Sequence, residues 1–233
     1  MNAIFKREFK SYFSTPIGYI VLAAFYFFLG LYFTMLYSCG APSIETAIMA
    51  MSTVAIFTLP ILTMRLMSED RRQKVDQVLI TAPVKLSHIV LGKFFAALAV
   101  FAIAFAPTVI FEIIFAVKIS VNIFSYIYAL FGMMLLGGAL ISIGMFISCL
   151  TESPVVSAIL TLVINILALY MSNFASMINI TWISNILEKA AFISAAEKFS
   201  ESIFNVTDVV YFLSIIVAFI FLSVRSLEKR RWS

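Results

Sequence analysis

Apolar residues run almost unbroken through six windows of the chain: Ile17 to Ser38, Ala47 to Met67, Phe94 to Val117, Phe124 to Leu150, Val155 to Phe174 and Val209 to Val224. Each is close to the roughly 20 residues that a helix needs to cross bilayer hydrocarbon. The ten-residue alternation of a membrane barrel is absent, and a backbone in lipid must satisfy its own hydrogen bonds. The pattern therefore predicts an all-α integral membrane protein, a single transmembrane domain over 1–233 with six transmembrane helices. Pro60 and Pro107 predict kinks in the second and third.

Between these windows the periodicity changes. In residues 1–16, Phe5, Phe9, Tyr12 and Phe13 fall in one narrow arc at 100° per residue, with Lys6, Arg7 and Lys10 in the neighbouring arc. That arrangement predicts a helix lying in the interface and broken at Thr15-Pro16. Residues 65–93 predict a polar loop with its own short amphipathic helix. Ser68 would cap that helix, Glu69 and Asp70 would fill its first turn, Val75, Val78 and Leu79 would form its apolar face, with Arg71 and Arg72 on other faces, and Ala82-Pro83 would end it. An apolar face on a loop helix needs a partner surface or lipid to cover it. Residues 175–208 are too polar for a seventh crossing, and Trp182 to Leu187 and Ala190 to Ala196 suit short re-entrant or surface helices.

Composition agrees with this picture, since 63% of residues are hydrophobic and only 12% charged. Charge then orients it. Six of the sixteen Lys and Arg lie in residues 65–93, and with those at the two ends thirteen fall on one side of a six-span topology. The positive-inside rule places both termini and the 65–93 loop in the cytoplasm, in a multi-pass protein of a bacterial cytoplasmic (inner) membrane. The net charge of +4 thus reflects topology, and no nucleic-acid partner is expected. The first window is too long for a signal peptide and a second follows at once. Cys39 and Cys149 fall at opposite membrane faces, too far apart for a disulfide.

The spans carry little chemistry. His88 is the only histidine, no cluster has metal-ligand spacing, and no Gly-rich phosphate loop is present. The chain is expected to bind no cofactor and not to be an enzyme, because serine and aspartyl intramembrane proteolysis also lack their parts. Gly132, Gly137, Gly138 and Gly144, with Ser142 and Ser148, make the fourth window a close-packing helix. Asn165 and Asn173, two turns apart on the fifth, either line a pathway or join helices. Glu112, near the outer end of the third, is the remaining pathway candidate.

Three stretches give the chain a family likeness. They are Ile4-Phe5-Lys6-Arg7-Glu8-Phe9-Lys10-Ser11-Tyr12-Phe13-Ser14-Thr15-Pro16-Ile17-Gly18-Tyr19, Arg65 to Pro83 followed by Leu91-Gly92-Lys93, and Gly144-Met-Phe-Ile-Ser148-Cys-Leu-Thr151-Glu152-Ser-Pro-Val-Val156. In order and position they resemble the membrane subunits of type-2 ABC transporters, most nearly the gliding-motility-associated and nitrous-oxide-reductase-maturation permeases. The segment Gln73 to Ile80 departs from the Gly-Thr and paired leucines common there.

The resemblance implies a type-2 ABC exporter permease fold and a separate ATPase subunit that holds ATP and Mg. It implies docking on the N-terminal helix (Phe5, Lys6, Arg7, Phe9, Lys10, Phe13) and on Glu69, Asp70, Arg71, Arg72, Val75, Val78 and Leu79. It further implies a second permease copy, or a homologue, meeting this one along the first, second and fifth spans. An outer gate would lie before the sixth span. An accessory membrane protein is left open. The alternative is a non-transporting membrane scaffold that recruits a cytoplasmic factor through the same loop.

Overall fold

The computed structural model describes residues 2–39, 44–72, 85–118, 123–169, 192, 199 and 205–231. Its elements are helices: α1 (Asn2–Ser14), α2 (Pro16–Cys39), α3 (Ile44–Thr63), α4 (Ser68–Arg72), α5 (Leu86–Ala104), α6 (Ala106–Lys118), α7 (Ile123–Leu150), α8 (Pro154–Leu169) and α9 (Val206–Arg231). Five membrane-length apolar helical stretches are present among the described residues, with α5 and α6 counting as one. The expected fifth span is described only as the 16-residue α8, and residues 170–174 of that window lie outside the described residues. The expected outward segment 175–208 is described only at 192, 199 and 205–208, where Phe192 packs on Tyr211 and Phe212 of α9.

α7 is the hub. It packs against α3, α5, α8 and α9 and is buried along most of its 28 residues. Apolar packing in lipid gains nothing from expelling water, so close approach of small residues has to supply the attraction. The expected small-residue helix supplies it. A Cβ on Gly137 would run into the Phe101 ring of α5, and one on Gly144 would strike Thr63 of α3 and Thr161 of α8. Around this hub, α2 and α9 turn large apolar side chains outward, among them Tyr19, Phe27, Met35, Val210, Val217 and Phe221. Water does not accommodate such faces, and lipid does.

An aromatic ladder binds α2 to α5 and α6. The Phe25 ring centroid lies 5.7 Å from those of Phe101 and Phe105, and Phe33 stacks on Phe111 at 4.2 Å. Pro107 breaks the third span as expected, with a turn at Phe105 between α5 and α6. Proline has no N–H for the carbonyl four residues back, which is that of Ile103. The Tyr26 hydroxyl of α2 donates to that carbonyl at 3.2 Å. The break thus gains a hydrogen bond from a neighbouring helix beside the local backbone cap at Ala102 and Ile103.

The third span begins at Leu86, eight residues before the expected Phe94. The loop of 65–93 is correspondingly shorter, and Lys93 sits two turns inside a helix instead of in water.

Replacing Gly137 with Ala is expected to lower stability by about 1 to 3 kcal/mol, because the Phe101 ring, held between Phe25 and Phe105, has nowhere to move. Gly30→Ala, where nothing lies within 4 Å of the new methyl, is expected to be neutral or slightly stabilising. Thermal unfolding of both variants in mild detergent separates the two outcomes.

Candidate functional site

The basic end of the bundle gathers α1, α4 and the starts of α5 and α8. α1 is brought there by Pro16, which begins α2 and leaves the Tyr12 carbonyl without its helical donor. The chain bends so closely at this point that a Cβ on Gly18 would sit 2.5 Å from that carbonyl oxygen. Thr15 holds the bend by donating to the Ser11 carbonyl at 3.0 Å. α1 then lies across α5, with Ile4 over Gly92, where a Cβ would come within 3.1 Å of the Ile4 side chain.

α1 presents two faces. Phe5, Phe9 and Phe13 form a continuous run, with centroids 5.9 and 5.1 Å apart, while Lys6, Arg7 and Lys10 are exposed beside it. Tyr12 leaves the phenylalanine row and is buried, its hydroxyl donating to the Leu62 carbonyl at 3.1 Å. Burial pushes that phenol above its ordinary range, so it stays a neutral donor. Glu8, which sequence reasoning did not single out, points inward with it.

Lys93 joins these parts. It is 1% exposed, and its Nζ lies 3.1 Å from Glu8 of α1 and 2.7 Å from Asp70 of α4. A buried ammonium is tolerated only when paired, and here the two anions come from two other helices. Glu8 is also shared with Arg7 at 2.5 Å. Burial pushes the Glu8 carboxyl up, but the Lys93 ammonium and the Arg7 guanidinium outweigh it and hold it below the ordinary 4.5. Arg65 pairs with Glu69 and reaches Thr15 Oγ1 at 2.7 Å. A cleft of 370 Å³ is lined by Arg7, Glu8, Ser11, Tyr12, Arg65, Leu66, Glu69 and Asp70.

Ser68 does not cap α4. Its hydroxyl donates back to the Met64 carbonyl, and the buried N–H groups of Met67 and Ser68 donate instead to Ser148 Oγ of α7, at 3.1 and 2.9 Å. The Ser148 hydroxyl itself donates to Met64 at 3.2 Å. A helix start inside a bundle needs an acceptor at that position, and α7 provides it. Arg71 leaves α4 for Glu152 at 2.6 Å and the Leu150 carbonyl at 3.3 Å, and Arg72 is exposed. Glu69, Asp70 and Arg71 are thus all engaged in holding α4 to its neighbours. Val75, Val78 and Leu79 lie outside the described residues.

The pathway candidates are elsewhere. Glu112 on α6 is 7% exposed and neither of its oxygens has a hydrogen-bond partner among the described residues. Asn165 on α8 is fully buried and, among the same residues, equally unpartnered. Asn173 lies outside the described residues. Lys93 was legible only as part of Leu91-Gly92-Lys93. Its partners are 85 and 23 positions away in the chain, which local periodicity cannot connect.

A family model described as ABC-2 type transporter matches residues 1–187, a span that contains the whole charge cluster. A comparison with curated proteins found no match.

Lys93→Met strands two partly buried carboxylates and is expected to destabilise the protein by about 3 kcal/mol or more, with Glu8→Gln in the same chain recovering part of the loss. Denaturant unfolding of the two single variants and the double variant measures this coupling. Because the folded-state value of Glu8 lies below 4.5, its contribution is whole above that pH and is lost as pH falls through the folded value. The melting temperature should decline on acidification below pH 4.5, and Glu8→Gln should remove part of that acid slope.

Proposed function

The chain belongs to the ABC-2 type transporter family as a membrane-spanning permease subunit, and on that premise we propose that it serves an exporter driven by an ABC ATPase docked on α1 and residues 65–93. The family implies an ATPase partner, and ATP with Mg would be held there. The observation that carries this reading is the Lys93 cluster. α1 and α4, the two charged elements that offer themselves to a cytoplasmic partner, are tied through one ammonium to the foot of the third span. A displacement of either is delivered to a membrane helix instead of being absorbed by a slack loop.

In this reading both termini face the cytoplasm of a bacterial inner membrane, an orientation that the distribution of Lys and Arg supports. A second copy or a homologue completes the transporter. α3 is largely covered within the subunit, so α2 and α8 supply the outward apolar faces for that contact, including Leu31, Met35, Val156, Ile159 and Val163. The outer gate is assigned to residues 175–208. Glu112, buried and without a hydrogen-bond partner among the described residues, in the half of the membrane away from the charge cluster, is the residue assigned to contact a transported cation or proton.

Extraction of the tagged chain in mild detergent from its native membrane is expected to recover a roughly equimolar ATPase that carries a phosphate-binding loop. Changing Val75, Val78 and Leu79 to Asp should abolish that recovery without shifting the thermal melt of the permease. Equal recovery from the triple variant would place the dock elsewhere. Absence of any ATPase, under conditions that keep other complexes intact, would overturn the reading in favour of a scaffold.

A further inference from the structure

Buried hydroxyls in the spans generally donate back to a carbonyl of their own helix: Thr58 to Val54, Thr63 to Leu59, Ser142 to Ala139 and Ser223 to Phe219. α8 departs from this habit. Ser157, Thr161 and Asn165 are each 0% exposed, yet among the described residues Ser157 Oγ, Thr161 Oγ1, Asn165 Nδ2 and Asn165 Oδ1 have no hydrogen-bond partner. Their four-residue spacing puts them on one face of the helix over roughly 12 Å. That face is turned into the subunit, where Thr161 meets Gly144 of α7 beside Thr63 of α3.

An amide or hydroxyl without a partner in apolar surroundings is costly to keep, and four such atoms in one row are not sustained by a dry bundle. Asn165 used as interhelical glue would hold a group on a neighbouring helix, and among the described residues it holds none. Water is the occupant that suits hydroxyls and an amide in a row, because it donates and accepts at each step. A source lies at the foot of the row. Pro154, one turn below Ser157, lines a cleft of 490 Å³ together with Ile17, Met64, Arg65, Glu69 and Arg72, at the charged end of the bundle.

We propose that a file of bound water runs from this cleft up the inner face of α8 as far as Asn165, forming a hydrated seam within a single subunit. The seam requires neither the ATPase nor a second copy. Beside the direct packing of the Thr161 methyl on Gly144, it gives α8 hydrogen bonds toward α3 and α7 that run through exchangeable water. The helix can therefore shift along its neighbours without leaving polar groups stranded.

The test uses the full chain in native membranes, with Cys39 and Cys149 replaced by Ser and single cysteines introduced as Ser157→Cys, Thr161→Cys and Asn165→Cys. Leu136→Cys, fully buried among apolar groups, and Ile159→Cys, on the outward face of α8, are the controls. The reagent is Ag⁺, which travels through water-filled passages and not through packed hydrocarbon. Protection of each thiol from later maleimide labelling gives the rate. The seam cysteines should react roughly tenfold or more faster than both controls, with no nucleotide present. Rates equal to that of Leu136→Cys would overturn the proposal, and so would reaction at Ser157→Cys alone, which confines water to the mouth of the cleft. Ser157→Cys is nearly isosteric and guards against misfolding at that position. For the upper positions, radiolytic hydroxyl labelling of the unmodified protein should mark residues 161–168, and absence of label there would also overturn the seam.

Discussion

The Lys93 ammonium is almost wholly withdrawn from water, and a buried charge of this kind must find partners or be lost as a charge. Its partners are carboxylates from an amino-terminal helix and from a five-residue helix after the second span. Much of the charged end is arranged around that requirement. Glu8 reaches Lys93 only because α1 folds back across α5, and α1 folds back only because Pro16 and Gly18 permit a tight bend. Asp70 reaches it only because α4 is pinned by Ser148 and by Arg71 to Glu152. The surface that the proposed ATPase would meet is therefore one connected unit rooted in the third span.

Helix breaks within the bundle raise a second physical problem, and its solutions recur. Each break frees backbone groups that hydrocarbon cannot satisfy. At Pro107 the Ile103 carbonyl takes the Tyr26 hydroxyl beside its local backbone cap, and at the start of α4 the free N–H groups of Met67 and Ser68 take Ser148. In both cases the donor or acceptor belongs to another helix. A break thus adds an attachment point to a neighbour, which is how a membrane bundle remains specific where lipid offers no hydrophobic drive to pack. α8 is the exception, because its polar row finds no partner among the described residues, and the proposed water takes that place.

By itself the sequence determined the class, the approximate place of the long apolar helices, the arc of Phe5, Phe9 and Phe13, the small-residue character of α7, and the breaks at Pro16 and Pro107, whereas of the six expected spans five are of membrane length among the described residues. These follow from local rules: span length, periodicity and the missing N–H of proline. The polar spacing of Ser157, Thr161 and Asn165 was equally present in the string, but spacing does not reveal whether a polar face meets a partner. Only the tertiary structure decided that Lys93 belongs to the third span and is buried, that Glu8 and Asp70 converge on it, and that Ser148 does the capping expected of Ser68. Those outcomes depend on contacts between residues tens of positions apart, and they are selected by the need to satisfy charge and backbone where water is excluded, a condition that no local window of sequence contains.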